Sequence, residues 1–181
     1  MRIIAGLAKG MTLAAPRGDA RPTSDRVREA IFSSLGERVV GATVLDLFAG
    51  SGALGLEAAS RGASAVTFVE NARASLDAIE RNLESFRRNR GVTCNFRVLR
   101  ADAFKLPALE STFSLIFADP PYGDAAQKLL AQPLPLAPGG VLVLESAKRD
   151  PLTPGEVWSV KRDAVYGDTR VSFLVTSSSP V

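Results

Sequence analysis

The chain of 181 residues contains no histidine, one cysteine and one tryptophan. Without histidine no Ser-His-Asp or Cys-His arrangement can form, and a zinc site would be left with carboxylates and one thiol, so triad hydrolysis and metal chemistry drop away. The lone Cys94 excludes an internal disulfide. Between Thr93 and Asn95 it reads as a small buried hydrophobe rather than a nucleophile, which fits a reducing cytosol. Apolar runs near the roughly 20 residues that span a bilayer are missing, and Lys9, Gly10 and Thr12 interrupt the N-terminus before it reaches the length of a signal-peptide core. No heptad repeat asks for a second copy. A cytoplasmic monomer without membrane contact is expected, with 46% hydrophobic residues supplying the core of one compact domain.

A strong charge imbalance is also lacking, since the net charge is +3. Its distribution is uneven: residues 1–42 carry seven Lys or Arg against four Asp or Glu, whereas residues 43–147 carry ten against eleven. The positive excess is N-terminal, and by itself it favours a nucleic-acid partner only slightly.

From residue 43 onward, strand and helix patterns alternate. TVLDLF (43–48) has the apolar, β-branched character of a buried strand and runs into the glycine loop AGSGALG. A helix should follow through Leu54, Leu56, Ala58 and Ala59 and stop near Arg61-Gly62. SAVTFVE forms a second strand ending on Glu70. Leu76, Ile79, Leu83 and Phe86 then recur at helical spacing, and Arg87, Arg88 and Arg90 read as a solvated helix end, with RNA contact the lesser alternative. NFRVLRAD, FSLIFADPPY and, after an APGG turn, GGVLVLES complete five strands. Beyond Pro154, two extended runs meet around Tyr166-Gly167-Asp168-Thr169, a hairpin signal. The expected fold is α/β, a mostly parallel doubly wound sheet covered on both faces and closed by a β-hairpin.

Asp46, Glu70, Asp102 and Asp119 all fall at or near the C-terminal ends of successive strands, the edge where open α/β sheets bind ligands. Helix capping would serve for Asp102 but explains the set poorly. Gly50, Gly52 and Gly55 spell the dinucleotide fingerprint, yet Asp46 stands at the loop's mouth, where an anionic pyrophosphate wants only amides. Glu70 suits ribose hydroxyls. S-adenosylmethionine has a ribose and an adenine, a cationic methionine arm and no phosphate. On this reading the glycines let the backbone approach that arm, Asp46 offsets its charge, and Asp102 with the Ala103 amide meets the adenine. The residues expected to hold the cofactor are Asp46, Phe48, Gly50, Ser51, Gly52, Glu70, Asn71, Asp102 and Ala103.

Asp119-Pro120-Pro121-Tyr122 points to the chemistry. An exocyclic amine on a nucleobase is a poor nucleophile until its lone pair leaves conjugation. Two acceptors aimed at its N–H groups favour that change and stabilise the positive charge that develops. The Asp119 carboxylate and the Pro120 carbonyl are those acceptors, the two prolines stiffen the loop, and Tyr122 offers a face for an extruded base. The bland alternative is a rigid turn after a strand.

With MRIIAG, RPTSDRVREAIF (21–32), VLDLFAGSGALGLEAASRGA (44–63), FVE (68–70), ADPPYG (118–123) and VYGDTR (165–170) in place, the chain resembles class I S-adenosylmethionine-dependent methyltransferases. More narrowly it is similar to the RsmD family, which methylates the N2 amine of a guanine in bacterial small-subunit (16S) ribosomal RNA. The resemblance covers nearly the whole chain and implies a seven-stranded sheet preceded by a small N-terminal extension. The chain departs from commoner members in having no histidine, in the Pro-rich QPLPLAPGG and in its Ser- and Pro-containing tail, none of which touches a motif position. A DNA amino-methyltransferase shares Asp-Pro-Pro-Tyr and a protein glutamine N5-methyltransferase uses similar amide chemistry, so both remain alternatives, as does a dinucleotide-dependent oxidoreductase or a non-catalytic nucleotide sensor.

The division expected is an extension over residues 1–42 and a cofactor-binding catalytic domain over 43–181. RIIAG and MTLAAP flank Ala8-Lys9-Gly10 like a small hairpin, and a helix from about Ser24 presents Val27, Ala30, Ile31 and Leu35 on one face. Arg26 and Arg28 are expected to point elsewhere and, with Arg2, Lys9, Arg17 and Arg21, to bind RNA phosphates. The alternative is a packed helix with a solvated basic face.

Overall fold

The structure is a computed structural model and describes residues 1–16 and 24–177. Its elements in chain order are α1 (Asp25–Leu35), β1 (Thr43–Leu47), α2 (Ala53–Ser60), β2 (Ala65–Glu70), α3 (Arg73–Arg87), β3 (Asn95–Arg100), β4 (Phe113–Ala118), α4 (Ala125–Leu130), β5 (Leu136–Ala147), β6 (Trp158–Tyr166) and β7 (Thr169–Thr176). The seven strands form one sheet in the order β3-β2-β1-β4-β5-β7-β6. The first five are parallel, and β7 runs antiparallel to both β5 and β6. The expected sheet and closing hairpin are both present, the hairpin turning through Gly167 at φ 61°. Among the described residues no helix is long and apolar enough to cross a membrane.

Alternation along the strands divides the core in two, as a sheet covered on both faces requires. Val44, Val66, Phe68, Leu115 and Phe117 pack with α1, α2, α3 and the N-terminal Ile3, Ala8 and Leu13. Leu45, Leu47, Ile116, Leu142 and Leu144 pack with α4 and Trp158, whose indole N–H donates to the Leu130 carbonyl at 3.0 Å.

One strand departs from expectation. β5 begins at Leu136, so Ala137-Pro138-Gly139-Gly140 lies inside it as an irregularity rather than ahead of it as a turn. Phe113 pairs with Leu136 and Leu115 with Val141, so β5 carries the extra residues as a bulge. Pro138 is tolerated there because a bulged segment needs no ladder N–H.

Residues 1–16 are anchored to α2 and α3 by polar side chains. The buried Glu57 carboxylate accepts the N–H groups of Ile4 and Ala5 at 2.8 and 3.0 Å. Ser60 accepts from Ala8 N–H and donates to the Ala5 carbonyl. Gly6 passes against the Ser60 backbone where a Cβ has no room. Buried Asn82 of α3 bonds both backbone groups of Ala14 and also donates to the Ser51 carbonyl at 2.8 Å, linking this segment to the glycine loop.

Candidate active site

Register builds the site. Leu47 of β1 is level with Val69 of β2 and Ala118 of β4, and Ala118 with Leu144 of β5. The next residue on each strand, at the C-terminal edge, is therefore Glu70, Phe48, Asp119 and Glu145. All four line one cleft of about 530 Å³, with Gly50, Asn71, Ser75, Pro120, Pro121, Tyr122, Ser24 and Val27 of the N-terminal helix region, and Tyr166 and Thr169 of the hairpin. Thus Asp119, Pro120, Pro121, Tyr122, Phe48, Gly50, Glu70 and Asn71 come together as the sequence suggests.

Tyr122 is 43% exposed, so its ring is open to a partner at the mouth. Phe48 is held at φ 55°, an unusual conformation for a bulky side chain, and its ring meets Phe104 edge-on at 5.1 Å. Glu70 is heavily used: Oε2 accepts Gly50 N–H, and Oε1 accepts the N–H groups of Asn71 and Ala72 ahead of α3. One carboxylate thus fixes both the glycine loop and the start of a helix. Of about four acceptor positions three are filled, leaving one for a ligand hydroxyl.

Asp46 sits deeper. It is 2% exposed, does not line the cleft, and its Oδ2 accepts Gly55 N–H at 2.9 Å. Its carboxyl is pushed up to about 8, chiefly by burial, with the Gly55 bond pulling the other way and repulsion from Asp119 and Glu70 adding to the rise. The Glu70 and Asp119 carboxylates, with Asp46 protonated behind them and able to ionise when a positive charge arrives, favour a cationic ligand, an arrangement that fits the methionine arm of S-adenosylmethionine.

The glycines serve different ends from the one expected. A Cβ on Gly55 would come within 2.5 Å of Phe68 and 2.7 Å of Val66, so this glycine lets α2 pack on β2. Gly52 is at φ 78° and faces the Phe68 ring. Of the three, only Gly50, at φ 58° and with the Phe48 carbonyl oxygen 3.9 Å from where a Cβ would sit, lines the cleft. Ser51 is buried, its carbonyl bound by Asn82.

Asp102 and Ala103 are not among the cleft's lining residues. Asp102 Oδ1 accepts Phe104 N–H and caps a short 3-10 turn, and Ala103 is buried beneath it. The capping alternative therefore accounts for one oxygen of Asp102 and leaves the other open.

The expectation for Arg28 is corrected. Its side chain is fully buried, and Nη2 donates to the Arg2 carbonyl at 2.6 Å and to Asp25 at 2.7 Å, so it cannot reach a phosphate. By contrast Arg2, Lys9 and Arg26 are exposed and line one groove of about 310 Å³, which Asp25 and Glu29 also border. Arg17 and Arg21 lie outside the described residues. Cys94 is half-buried, with burial pushing its thiol up to about 11, far from a nucleophile.

Glu145, Tyr166 and Thr169 went unassigned from sequence. Glu145 is the one charge in the run VLVLESA and stands two residues before the end of β5, level with Asp119, which was a usable signal. The hairpin pair stood out only as part of the VYGDTR motif and not as cleft residues, because only the sheet order brings β7 beside β5.

The family described as conserved hypothetical protein 95 matches residues 1–175. The chain belongs to this family. The match bears out the family resemblance read from the motifs. The "Ribosomal RNA small subunit methyltransferase D" of Haemophilus influenzae is 33% identical over 92% of this chain and 89% of that protein. The protein of the same name from Escherichia coli K12 is 37% identical over 92% and 85% respectively. A solved family neighbour, a putative methyltransferase yhhF from Escherichia coli, superimposes with a TM-score of 0.83 at 34% identity, covering 99% of both chains. The methyltransferase architecture expected of the family is thus the architecture found.

Proposed function

We propose that this chain transfers a methyl group from S-adenosylmethionine to the exocyclic N2 amine of a guanine in small-subunit (16S) ribosomal RNA. The observation that carries the reading is the shared row: Asp119 stands level with Glu70 across the sheet edge, and the Asp-Pro-Pro-Tyr loop opens directly from it. The names of the curated relatives support ribosomal RNA as the substrate class.

When bound, the cofactor supplies an electrophilic methyl group on a sulfonium. Glu70 receives a ribose hydroxyl at its remaining acceptor position, Gly50 lets the backbone come close, and the Glu70 and Asp119 carboxylates hold the potential negative, with Asp46 joining them as it gives up its proton to the arriving positive charge. Asp102 offers its second oxygen to the adenine amine. On the substrate side, the base stacks on Tyr122 while the Asp119 carboxylate and the Pro120 carbonyl accept its two N–H groups. These bonds draw the nitrogen lone pair towards tetrahedral geometry and steady the positive charge as the new C–N bond replaces the methyl–sulfur bond, whose electron pair stays on sulfur as the thioether of S-adenosylhomocysteine. One N–H proton then leaves to solvent. Residues 1–42 form the RNA-binding element in this proposal, with Arg2, Lys9 and Arg26 meeting phosphates and Arg17 and Arg21 belonging to the same set. The RNA is presented naked or in a partly assembled small subunit.

The test is a digest of 16S RNA from a strain lacking the gene, analysed by mass spectrometry. One N2-methylguanosine is expected to disappear and to return when purified protein and S-adenosylmethionine are added to the RNA or the small subunit. An unchanged nucleoside profile rejects the proposal. Labelled methyl found in a protein band or in DNA redirects it to the other amine or amide acceptors.

A further inference from the structure

A second groove adjoins the cleft and has no part in the reading above. It holds about 430 Å³ and is lined by Tyr122, Ala147, Lys148, Arg149 and Asp168, so the Tyr122 ring is a wall common to both spaces. The turn that follows β5 forms its floor and is tied from several sides. The Asp150 carboxylate accepts the N–H of Gly123, the residue after Tyr122, at 2.7 Å. Lys148 N–H donates to the Asp168 carbonyl of the hairpin turn at 2.7 Å, Asp150 N–H donates to the Ala147 carbonyl at 3.0 Å, and Arg170 reaches the Asp150 carbonyl at 3.3 Å. Backbone and Asp150 bonds do this tethering, which leaves the Lys148 and Arg149 side chains exposed. Among the described residues neither cation forms an ion pair. With Asp150 engaged at Gly123, Asp168 is the one acid among the described residues that lines the groove.

We propose that this groove seats the phosphodiester of a nucleotide adjoining the methylated base, with Lys148 and Arg149 as its cations and Tyr122 as the partition between base and backbone. The inference rests on the RNA-methylation reading. A base drawn into the cleft leaves its own sugar-phosphate at the mouth, and the neighbouring phosphate follows beside the ring on which the base stacks. Cations fixed there supply affinity and register, and the Arg149 fork suits two phosphate oxygens. The N-terminal groove adjoins the cleft through α1, since Ser24 and Val27 line one space and Asp25 and Arg26 the other. The strand therefore has a cationic seat next to α1 and another next to Tyr122.

The test compares wild type, Lys148→Gln/Arg149→Gln and a charge-matched control, Lys161→Gln/Arg162→Gln, on exposed residues of β6. With 16S RNA or small subunits as substrate, the groove variant should raise KM for RNA about 10- to 100-fold and flatten the salt dependence of log kcat/KM by about one to two units. Its kcat at saturating RNA should stay within about 2-fold, its S-adenosylhomocysteine affinity should be unchanged, and the control should match wild type. Unchanged KM and salt slope in the groove variant, or an equal loss in the control, overturns the groove assignment alone. Wild type that methylates no RNA overturns the parent reading and this inference together. If the glutamine pair lowers the melting temperature, Arg149→Lys provides the readout: it keeps charge and backbone and loses only the fork, with a smaller KM rise expected and none if the groove is idle.

Discussion

The Asp46 carboxylate bonds the Gly55 N–H across the loop that separates β1 from α2, fully screened from solvent. Its proton therefore makes its own contribution to how stability depends on pH. Below about pH 4 the carboxyl is neutral in both folded and unfolded chains. Between pH 4 and 8 the unfolded chain has lost the proton while the folded chain, with its carboxyl raised to about 8, keeps it. Stability from this residue declines over that window and levels off above it. Asp46→Asn retains an acceptor for Gly55 and cannot ionise, so its melting temperature relative to wild type should climb from pH 4 to 8 and then plateau. A difference that is flat with pH contradicts the assignment.

Binding of the cationic cofactor should be linked to the same proton. Methionine-arm charge beside three carboxylates lowers the Asp46 value, so binding at pH 7 releases a proton. Calorimetry in two buffers of different ionisation enthalpy should show that release in wild type and lose it in Asp46→Asn.

Asp119→Ala should abolish methyl transfer, by about 10³-fold or more in kcat, while S-adenosylhomocysteine still binds and the chain stays folded. Asp119 lies one residue beyond β4, outside its strand ladder, which is why the fold should survive. Turnover near normal in this variant contradicts the role given to the carboxylate.

Glu70→Ala should damage two things at once. Removing the acceptor for Gly50, Asn71 and Ala72 should cost about 1–3 kcal/mol of stability, and KM for S-adenosylmethionine should rise with kcat little changed. Glu70→Gln keeps one carbonyl acceptor and should recover part of the stability with less of the affinity. Equal recovery of both argues that the loop, not the ribose, is what Glu70 serves.

Arg26 and Arg28 are two positions apart and should behave oppositely. Arg26→Ala should weaken RNA binding and flatten its salt dependence without lowering the melting temperature. Arg28→Ala, which removes a buried side chain and strands Asp25, should lower stability by about 2–4 kcal/mol. Comparing melting temperature with an RNA titration for each variant separates the effects.

Strand and helix positions were legible because apolar alternation and helical spacing are local properties, and the strand-end acids were legible because each lies within two residues of the end of such a run. Arg28 shows a pattern misread rather than absent. It stands three, four and seven residues before Ile31, Phe32 and Leu35, on the apolar face itself, and its charge hid that spacing. The APGG segment looked like a turn because proline and glycine mark bulges and turns alike. The packing role of Gly55 was invisible for another reason: it depends on Phe68 and Val66, which only the folded sheet sets against it.

Asn82 gives the molecule a practical property. Because one amide side chain holds both Ala14 and Ser51, the N-terminal segment is not a detachable attachment that can be exchanged to retarget the enzyme. A graft from a relative with different RNA preference would have to import the matching partners at positions 57, 60 and 82, or it would deform the cofactor loop along with the surface it was meant to change.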